Sequence, residues 1–155
     1  MLRVSEVVFT TQAQANKPLL ITDLVVEPHG EALQIRIRFS KTNQTGPPTI
    51  LRIPRTYPDP LCCVTALQQY LALRPSHHGL LFCHINRSPM KRSQFSGVLS
   101  RTIHSLGLPV GVFKTHSFRI GRATSLASQG IPSENIQRMG RWQSNVYKRY
   151  IRMEV

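Results

Sequence analysis

The stretch KTHSFRIGRATSLASQGIPSENIQRMGRWQSNVYKRYIR, residues 114–152, decides the fold of this chain. A glycine that can end a helix and two serines that can cap helices divide it into three segments. It predicts a helix that begins near His116 and stops at Gly130, a short helix that Ser133 caps, and a last helix that Ser144 caps. This quarter of the chain is therefore predicted to be helical.

Further helices are expected upstream of this stretch. LCCVTALQQYLAL (61–73) follows Pro60 and places apolar side chains on one stripe, and a second apolar set recurs at helical spacing from Ser93 until Gly107. LRVSEVVFT (2–10) also suits a helix that ends near Thr10. The first stripe consists of Leu61, Val64, Leu67 and Leu71, and the second of Phe95, Val98, Leu99, Ile103 and Leu106.

Three segments near the amino end are typical of β-strands. They are ITDLVVEP (21–28), ALQIRIRF (32–39) and TILRIP (49–54), and the second alternates apolar with polar residues at period two. KTNQTGPP, which begins at Lys41, is rich in turn formers and separates the second strand from the third. A sheet followed by helices predicts an α+β fold, in which a small antiparallel three-stranded sheet packs beside a mostly helical bundle.

Positive charge is the strongest signal in the composition. Twenty Lys and Arg oppose seven Asp and Glu, so the net charge is +13, and no acidic residue lies between Asp59 and Glu134. A field of one sign weakens a compact state unless a polyanion neutralises it, which predicts nucleic acid as a partner. The alternative is a basic surface that serves only solubility.

Length and hydropathy predict one domain that does not enter a membrane. The chain has 155 residues, no apolar run approaches the ~20 residues of a membrane span, and no signal-peptide layout is present. We therefore expect an intracellular protein, in the nucleus of a eukaryote or otherwise in the cytoplasm or nucleoid.

The sequence does not predict a metal site. Cys62, Cys63 and Cys83 occur with three histidines (His77, His78 and His84), but their spacing matches no familiar ligand set. Only Glu134 and Glu154 supply carboxylates in the second half of the chain, which disfavours metal-dependent phosphodiester cleavage. The remaining option is a covalent side-chain nucleophile with arginines in place of the metal.

The 114–152 stretch contains candidates for such chemistry. His116 and Arg119, three residues apart, lie on one helix face and could address the same phosphate. Tyr150, in KRYIR, lies among basic residues that would attract a phosphate, and Trp142 follows Gly140 in GRW. Each has a simpler interpretation, because HxxR arises by chance and a tyrosine or a single tryptophan is more often a packing residue.

The order of these motifs resembles the catalytic domain of the tyrosine recombinase, or phage integrase, family. HSFRIGRA (116–123), GIPSENIQRMGRW (130–142) and YIR (150–152) resemble its carboxyl-terminal half, in wording closest to Cre-type and to DIRS and Crypton transposon-type members. LRVSE is similar to the helix of its first arginine, here Arg3, and SKTNQTG to the turn of its catalytic lysine, here Lys41. The resemblance spans nearly the whole chain.

The resemblance implies site-specific DNA cleavage and rejoining without metal or cofactor. Tyr150 would attack double-stranded DNA and form a 3′-phosphotyrosine, Arg3 and Arg119 would stabilise the transition state, and Lys41 would protonate the leaving 5′ oxygen. His116 would accept the tyrosine proton or bind the phosphate. The family's His-or-Trp position falls on Trp142 when counted from Arg119 and on Arg141 when counted from Tyr150, so both stay open, with Trp142 preferred.

The same resemblance predicts that residues 1–155 form a catalytic domain without the family's amino-terminal DNA-clamp domain and first helices. Such a domain would act as a dimer or tetramer on DNA. One alternative is a catalytically inactive or domesticated DNA-binding remnant of a mobile-element recombinase. Another is an enzyme that relaxes supercoils in the manner of type IB topoisomerases.

Overall fold

The computed structural model describes residues 1–10, 17–40, 43–57 and 60–152. The chain divides into two compact units, which are Met1–Val4 with Arg92–Val155, here called the helical unit, and Ser5–Lys91, here called the sheet unit. One helical turn, α1 (Val4–Val7), lies at the boundary between them. No helix within the described ranges has the length and apolar character that crossing a bilayer requires.

The sheet unit contains three antiparallel strands in sequential order. These are β1 (Leu24–Val26), β2 (Ala32–Ile37) and β3 (Thr49–Pro54), and β2 is the central strand. Leu33 of β2 pairs with Val26 on one side and with Ile53 on the other. The sheet is thus a meander in which each strand pairs with its neighbour in sequence.

One face of the sheet forms a core with the following helix. Leu33, Ile35 and Ile37 are buried, whereas the residues between them are exposed, as the period of a half-buried strand requires. Leu33 packs with Cys62 and Val64 at the start of α2 (Cys63–Leu73). The buried face of β2 therefore fixes the position of α2 in the sheet unit.

The turn between β1 and β2 depends on Gly30. This residue has a φ of 67°, in the left-handed region that favours glycine, and a β-carbon there would meet the side chains of Arg55 and Gln68. Arg55 Nε donates to the Gly30 carbonyl at 2.6 Å, and one of its terminal nitrogens donates to Gln68 Oε1 at 2.6 Å. The arginine thereby connects the hairpin to α2.

The described residues of the helical unit form three α-helices and a 3-10 helix. They are α3 (Arg92–Ser105), α4 (Ser117–Ser128), α5 (Ser133–Gly140) and the 3-10 helix Asn145–Tyr150. Ala123 and Leu126 of α4 pack against Ile136 of α5 and against Trp142 and Tyr147, which form the buried core. This core brings the start of α4 close to the 3-10 helix.

The α+β prediction is confirmed, and most predicted elements form within a few residues of their expected bounds. All three strands and the helices α2 to α5 occur where the sequence placed them. The opening helix is shorter than predicted, because it ends at Val7 and the Phe9 backbone then pairs with the 90–91 segment, with Phe9 N donating to the Met90 carbonyl at 2.9 Å.

Three local expectations were wrong. Leu61 is 86% exposed and precedes α2, so it does not belong to the apolar stripe. Ser133 is the first residue of α5, and Pro132 occupies the N-cap position. Ser144 does precede the last helix, but its side chain makes no cap hydrogen bond and the segment is a 3-10 helix rather than an α-helix.

Candidate active site

The first turn of α4 presents His116 and Arg119. His116 is the N-cap residue, and its carbonyl accepts a hydrogen bond from the Arg119 backbone amide at 3.0 Å. The predicted helical spacing is therefore confirmed, although His116 lies at the end of the helix rather than within it. Both side chains extend toward the 3-10 helix, as their contacts with Tyr150 show.

Tyr150 lies beside His116. The tyrosine hydroxyl oxygen is 3.1 Å from His116 Nε2, and the ring centroids are 5.6 Å apart. Thr124 of α4 fixes the end of this segment, since its hydroxyl donates to the Tyr150 carbonyl at 3.2 Å and accepts from the Arg152 amide at 3.0 Å. The nucleophile candidate is thus anchored to α4 by its backbone and contacts His116 through its side chain.

Arg119 is a buried cation under this pair. Its side chain is 3% exposed, and its two terminal nitrogens donate to the carbonyls of Met1 at 2.7 Å and Gly140 at 2.8 Å. Its guanidinium carbon lies 4.6 Å from the centroid of the Trp142 ring and 5.8 Å from that of the Tyr150 ring. Backbone carbonyls and aromatic faces therefore hold one positive charge at a fixed position beneath the tyrosine.

Trp142 contacts the Tyr150 ring. The centroids of Trp142 and Tyr150 are 4.9 Å apart, with planes inclined at 48°. Arg141 follows α5 in the left-handed conformation, with a φ of 56°, and donates to the Met1 carbonyl at 3.2 Å. The geometry thus favours Trp142 for the position that the sequence left open between these two residues.

Three positive charges act on His116. Partial desolvation lowers the pKa of its imidazole, and the charges of Arg119, Arg92 and Arg3 lower it further. The charge of Arg3 therefore acts on the same imidazole as the charge of Arg119. A histidine with a lowered pKa is neutral at pH 7 and able to accept a proton.

The structure does not describe every predicted site residue. Lys41 lies outside the described residues, so its predicted role stays a prediction. Conversely, Arg92 acts on His116 but was not predicted as a site residue. Its only signal in the sequence was the basic start of KRSQF (91–95), three residues before the apolar Phe95.

No group of three His, Cys, Asp or Glu side chains in the described ranges has an arrangement that could bind a metal ion. In particular, Cys62 belongs to the core of the sheet unit, where it packs against Leu33 and Val64. Among the residues whose positions are described, the helical unit contains eleven basic side chains and a single carboxylate, Glu134. The charge of this unit therefore suits an anionic ligand.

Fold and motif order together define a tyrosine recombinase catalytic domain. The sequence profile of the phage integrase family matches residues 31–154, and the chain belongs to that family. An integrase/recombinase xerD homolog from Selenomonas ruminantium is 31% identical over 136 residues, which cover 83% of this chain and 39% of the relative. The chain thus spans well under half of that relative's length.

A solved structure has a similar fold. The integrase of the transposon Tn1549 (residues 82–397), in complex with circular intermediate DNA, superposes with a TM-score of 0.59 at 18% identity, over 99% of this chain and 50% of that chain. At this identity the likeness concerns the fold alone. It agrees with the mixed composition of strands and helices described above.

Proposed function

We propose that this chain is the catalytic part of a site-specific DNA recombinase that cleaves and rejoins double-stranded DNA through Tyr150. The observation that carries the proposal is the 3.1 Å separation between the Tyr150 hydroxyl oxygen and His116 Nε2, within a cluster of arginines. The family and the folds of its relatives support the same activity.

The first step is proton transfer from the nucleophile. With Nε2 unprotonated, His116 accepts the hydrogen bond of the Tyr150 hydroxyl, and the lowered pKa of the histidine favours this neutral form. The tyrosine oxygen then attacks the phosphorus atom, the bond between phosphorus and the 5′ oxygen breaks, and a 3′-phosphotyrosine remains. The free 5′ hydroxyl of the same or another strand reverses the reaction, so rejoining requires no further energy source.

The arginines stabilise the negative charge that develops on the phosphate. Arg119 is held by backbone carbonyls and does not reorganise, which is the arrangement that makes electrostatic stabilisation efficient. Arg3 contributes a second charge near His116. Lys41 is the proposed proton donor to the 5′ oxygen. Trp142 packs against Arg119 and against Tyr150, and it orients both.

The proposed function implies that DNA is the partner of this chain. The excess of basic side chains in the helical unit suits the phosphates of DNA, and affinity should fall steeply with salt concentration. Recombination joins two DNA sites, so we propose a dimer or tetramer of the protein on DNA. We assign residues 1–155 to the catalytic domain and none of them to a DNA-clamp domain.

Covalent capture tests the proposal. Duplexes with a randomised centre and a nick beside each possible cleavage position are incubated with the protein, and covalent adducts are separated under denaturing conditions. The wild type should form an adduct that Tyr150→Phe abolishes. Tyr147→Phe is the matched control, because Tyr147 lies in the same 3-10 helix but is buried in the core, and it should retain the adduct.

The other outcomes decide between the alternatives. DNA binding by the folded wild type without any adduct would support the inactive DNA-binding remnant. An adduct that relaxes supercoiled plasmid but never forms a strand-exchange junction would support the topoisomerase-like enzyme. An adduct that persists in Tyr150→Phe would refute the assignment of the nucleophile.

A further inference from the structure

Arg92 has no role in the function proposed above, yet it lies beside the candidate site. It is the first residue of α3, and Phe95 in the same helical turn packs against Phe118 in the first turn of α4, with ring centroids 6.4 Å apart. Phe118 is next to Arg119 and two residues from His116. The start of α3 is thereby fixed next to the start of α4.

The charge of Arg92 reaches the imidazole of His116. It lowers the pKa of that histidine after the effects of desolvation and Arg119, and it ranks ahead of Arg3. Two of these three arginines already have proposed roles at the phosphate. The charge of the third, Arg92, acts on the same imidazole, so a phosphate bound there would also feel it.

Arg92 differs from Arg119 in its accessibility. Arg119 is buried and donates to two backbone carbonyls, whereas Arg92 is exposed. Within the ranges that the structure describes, no ion pair or hydrogen bond involves the Arg92 side chain. Its guanidinium is therefore open to a ligand, and a guanidinium fork matches two oxygens of one phosphate.

The position of Arg92 in its helix is unfavourable without an anion. The amino end of an α-helix carries partial positive charge, so a cation in the first turn is repelled there. Lys91 precedes Arg92 and adds a second positive charge, and the single described carboxylate of the helical unit, Glu134, lies in α5. Helix stability does not account for this arginine, whereas a bound phosphate would.

We propose that Arg92 is a further phosphate-binding residue of this site, which contacts a non-bridging oxygen of the phosphate that Tyr150 attacks. The proposal rests on the proposed function. The site would then contain two guanidinium groups of different kinds. That of Arg119 is buried, and that of Arg92 is exposed and closes on the phosphate when DNA binds. Arg92 thus contributes both to binding of the cleavage site and to stabilisation of the transition state.

The test compares Arg92→Gln with Arg101→Gln, a matched control because Arg101 is exposed on the same helix, nine residues further on. Single-turnover adduct formation is measured on nicked duplexes with either a natural phosphate or a neutral methylphosphonate at the cleavage position. On the duplex with the natural phosphate, Arg92→Gln should slow adduct formation at least about tenfold, because it removes a hydrogen bond between charged groups. Arg101→Gln should slow it less than about threefold.

On the methylphosphonate, the loss in Arg92→Gln should shrink to about threefold or less, because the charged oxygen that it contacts is absent. Arg92→Lys should recover part of the rate, and thermal unfolding of Arg92→Gln should occur at or above the wild-type temperature. A rate within about threefold of the wild type, or an equal loss on both duplexes, would overturn the proposal.

Equilibrium binding separates this proposal from the proposed function. If the wild type forms no adduct, the proposed cleavage function is refuted. Phosphate binding by Arg92 is then tested by the affinity of Tyr150→Phe for the two duplexes. Adding Arg92→Gln should weaken binding of the phosphate duplex at least about tenfold and remove its advantage over the methylphosphonate duplex. Unchanged affinity for both duplexes would refute phosphate binding by Arg92.

Discussion

The Trp142 ring occupies the space into which a side chain on Gly140 would extend. The two residues are also linked through Arg119, which donates to the Gly140 carbonyl at 2.8 Å and lies 4.6 Å from the Trp142 centroid. Gly140 is buried at the end of α5 and does not need a positive φ. Its small size is therefore what allows the indole to lie against the buried arginine.

Replacing Gly140 by Ala should disrupt this packing. The added methyl group would collide with the Trp142 ring, and overpacking of this kind costs about 1–3 kcal/mol. Gly121→Ala is the matched control, because Gly121 lies within α4, nothing lies within 4 Å of the added carbon, and alanine is favoured in helices by about 1 kcal/mol. Urea unfolding should show a loss for the first variant and a gain for the second. Equal stabilities would contradict the close packing.

The hydroxyl of Thr124 should set the position of Tyr150. Thr124→Val keeps the shape but removes the hydrogen bonds to the Tyr150 carbonyl and from the Arg152 amide, at a cost of about 1–3 kcal/mol. The rate of adduct formation should also fall in Thr124→Val, whereas Thr124→Ser should retain most of the wild-type rate. Thr102→Val, which removes an exposed hydroxyl that bonds the Val98 carbonyl in α3, should change neither property.

The rate of adduct formation should persist below the pH at which an ordinary histidine becomes protonated. The proposed mechanism requires neutral His116, whose pKa is lowered from 6.5 by desolvation and by Arg119, Arg92 and Arg3. The rate should therefore stay constant as the pH falls through 6.5 and decline only below the lowered pKa. Arg92→Gln removes one of these cations and should move the decline to higher pH. A decline centred at or above 6.5 in the wild type would show that another group controls it.

Acid sensitivity of the sheet unit should depend on Glu27. Its carboxylate accepts a hydrogen bond from Arg52 Nε at 2.7 Å and another from a terminal nitrogen of Arg52 at 2.6 Å. It also accepts a hydrogen bond from the side-chain amide of Gln34 at 2.9 Å. These bonds lower its pKa from 4.5 to about 2. A lowered carboxyl pKa stabilises the folded state above the ordinary value, and this contribution is lost as the pH falls from 4.5 toward about 2.

Thermal unfolding across this acidic range measures the effect. Glu27→Gln should have a flatter dependence on pH between 4.5 and about 2 than the wild type. Glu31→Gln is the control, since it removes an exposed carboxylate from the same hairpin. If Glu27→Gln reproduces the wild-type curve, the ion pair with Arg52 contributes nothing to stability.

Periodic patterns and motif spacing predicted the architecture and most of the site. The alternation in β2 identified its buried face, because a half-buried strand requires period two. His116, Arg119, Trp142 and Tyr150 come together as the motif order indicated. Of these residues, His116 and Arg119 are the pair whose spacing alone predicted that they lie in one helical turn.

The rest depended on contacts between segments that are distant in sequence. No local pattern indicates that Arg119 donates to the carbonyl of Met1, 118 positions away, or that Phe95 of α3 packs against Phe118 of α4. One local competitor and one contact between distant segments explain the wrong helix ends. Pro132 took the cap position that Ser133 was expected to occupy, and pairing of Phe9 with the 90–91 segment ended the first helix early.

The burial of Trp142 has a spectroscopic consequence. It is the single tryptophan of the chain, it is 8% exposed, and it lies in the helical unit. Selective excitation of indole therefore reports on that unit alone, whereas Tyr57 and Tyr70 are the tyrosine chromophores of the other. Emission that shifts to longer wavelength before the far-ultraviolet signal of the strands is lost would reveal that the two units melt independently, without any attached label.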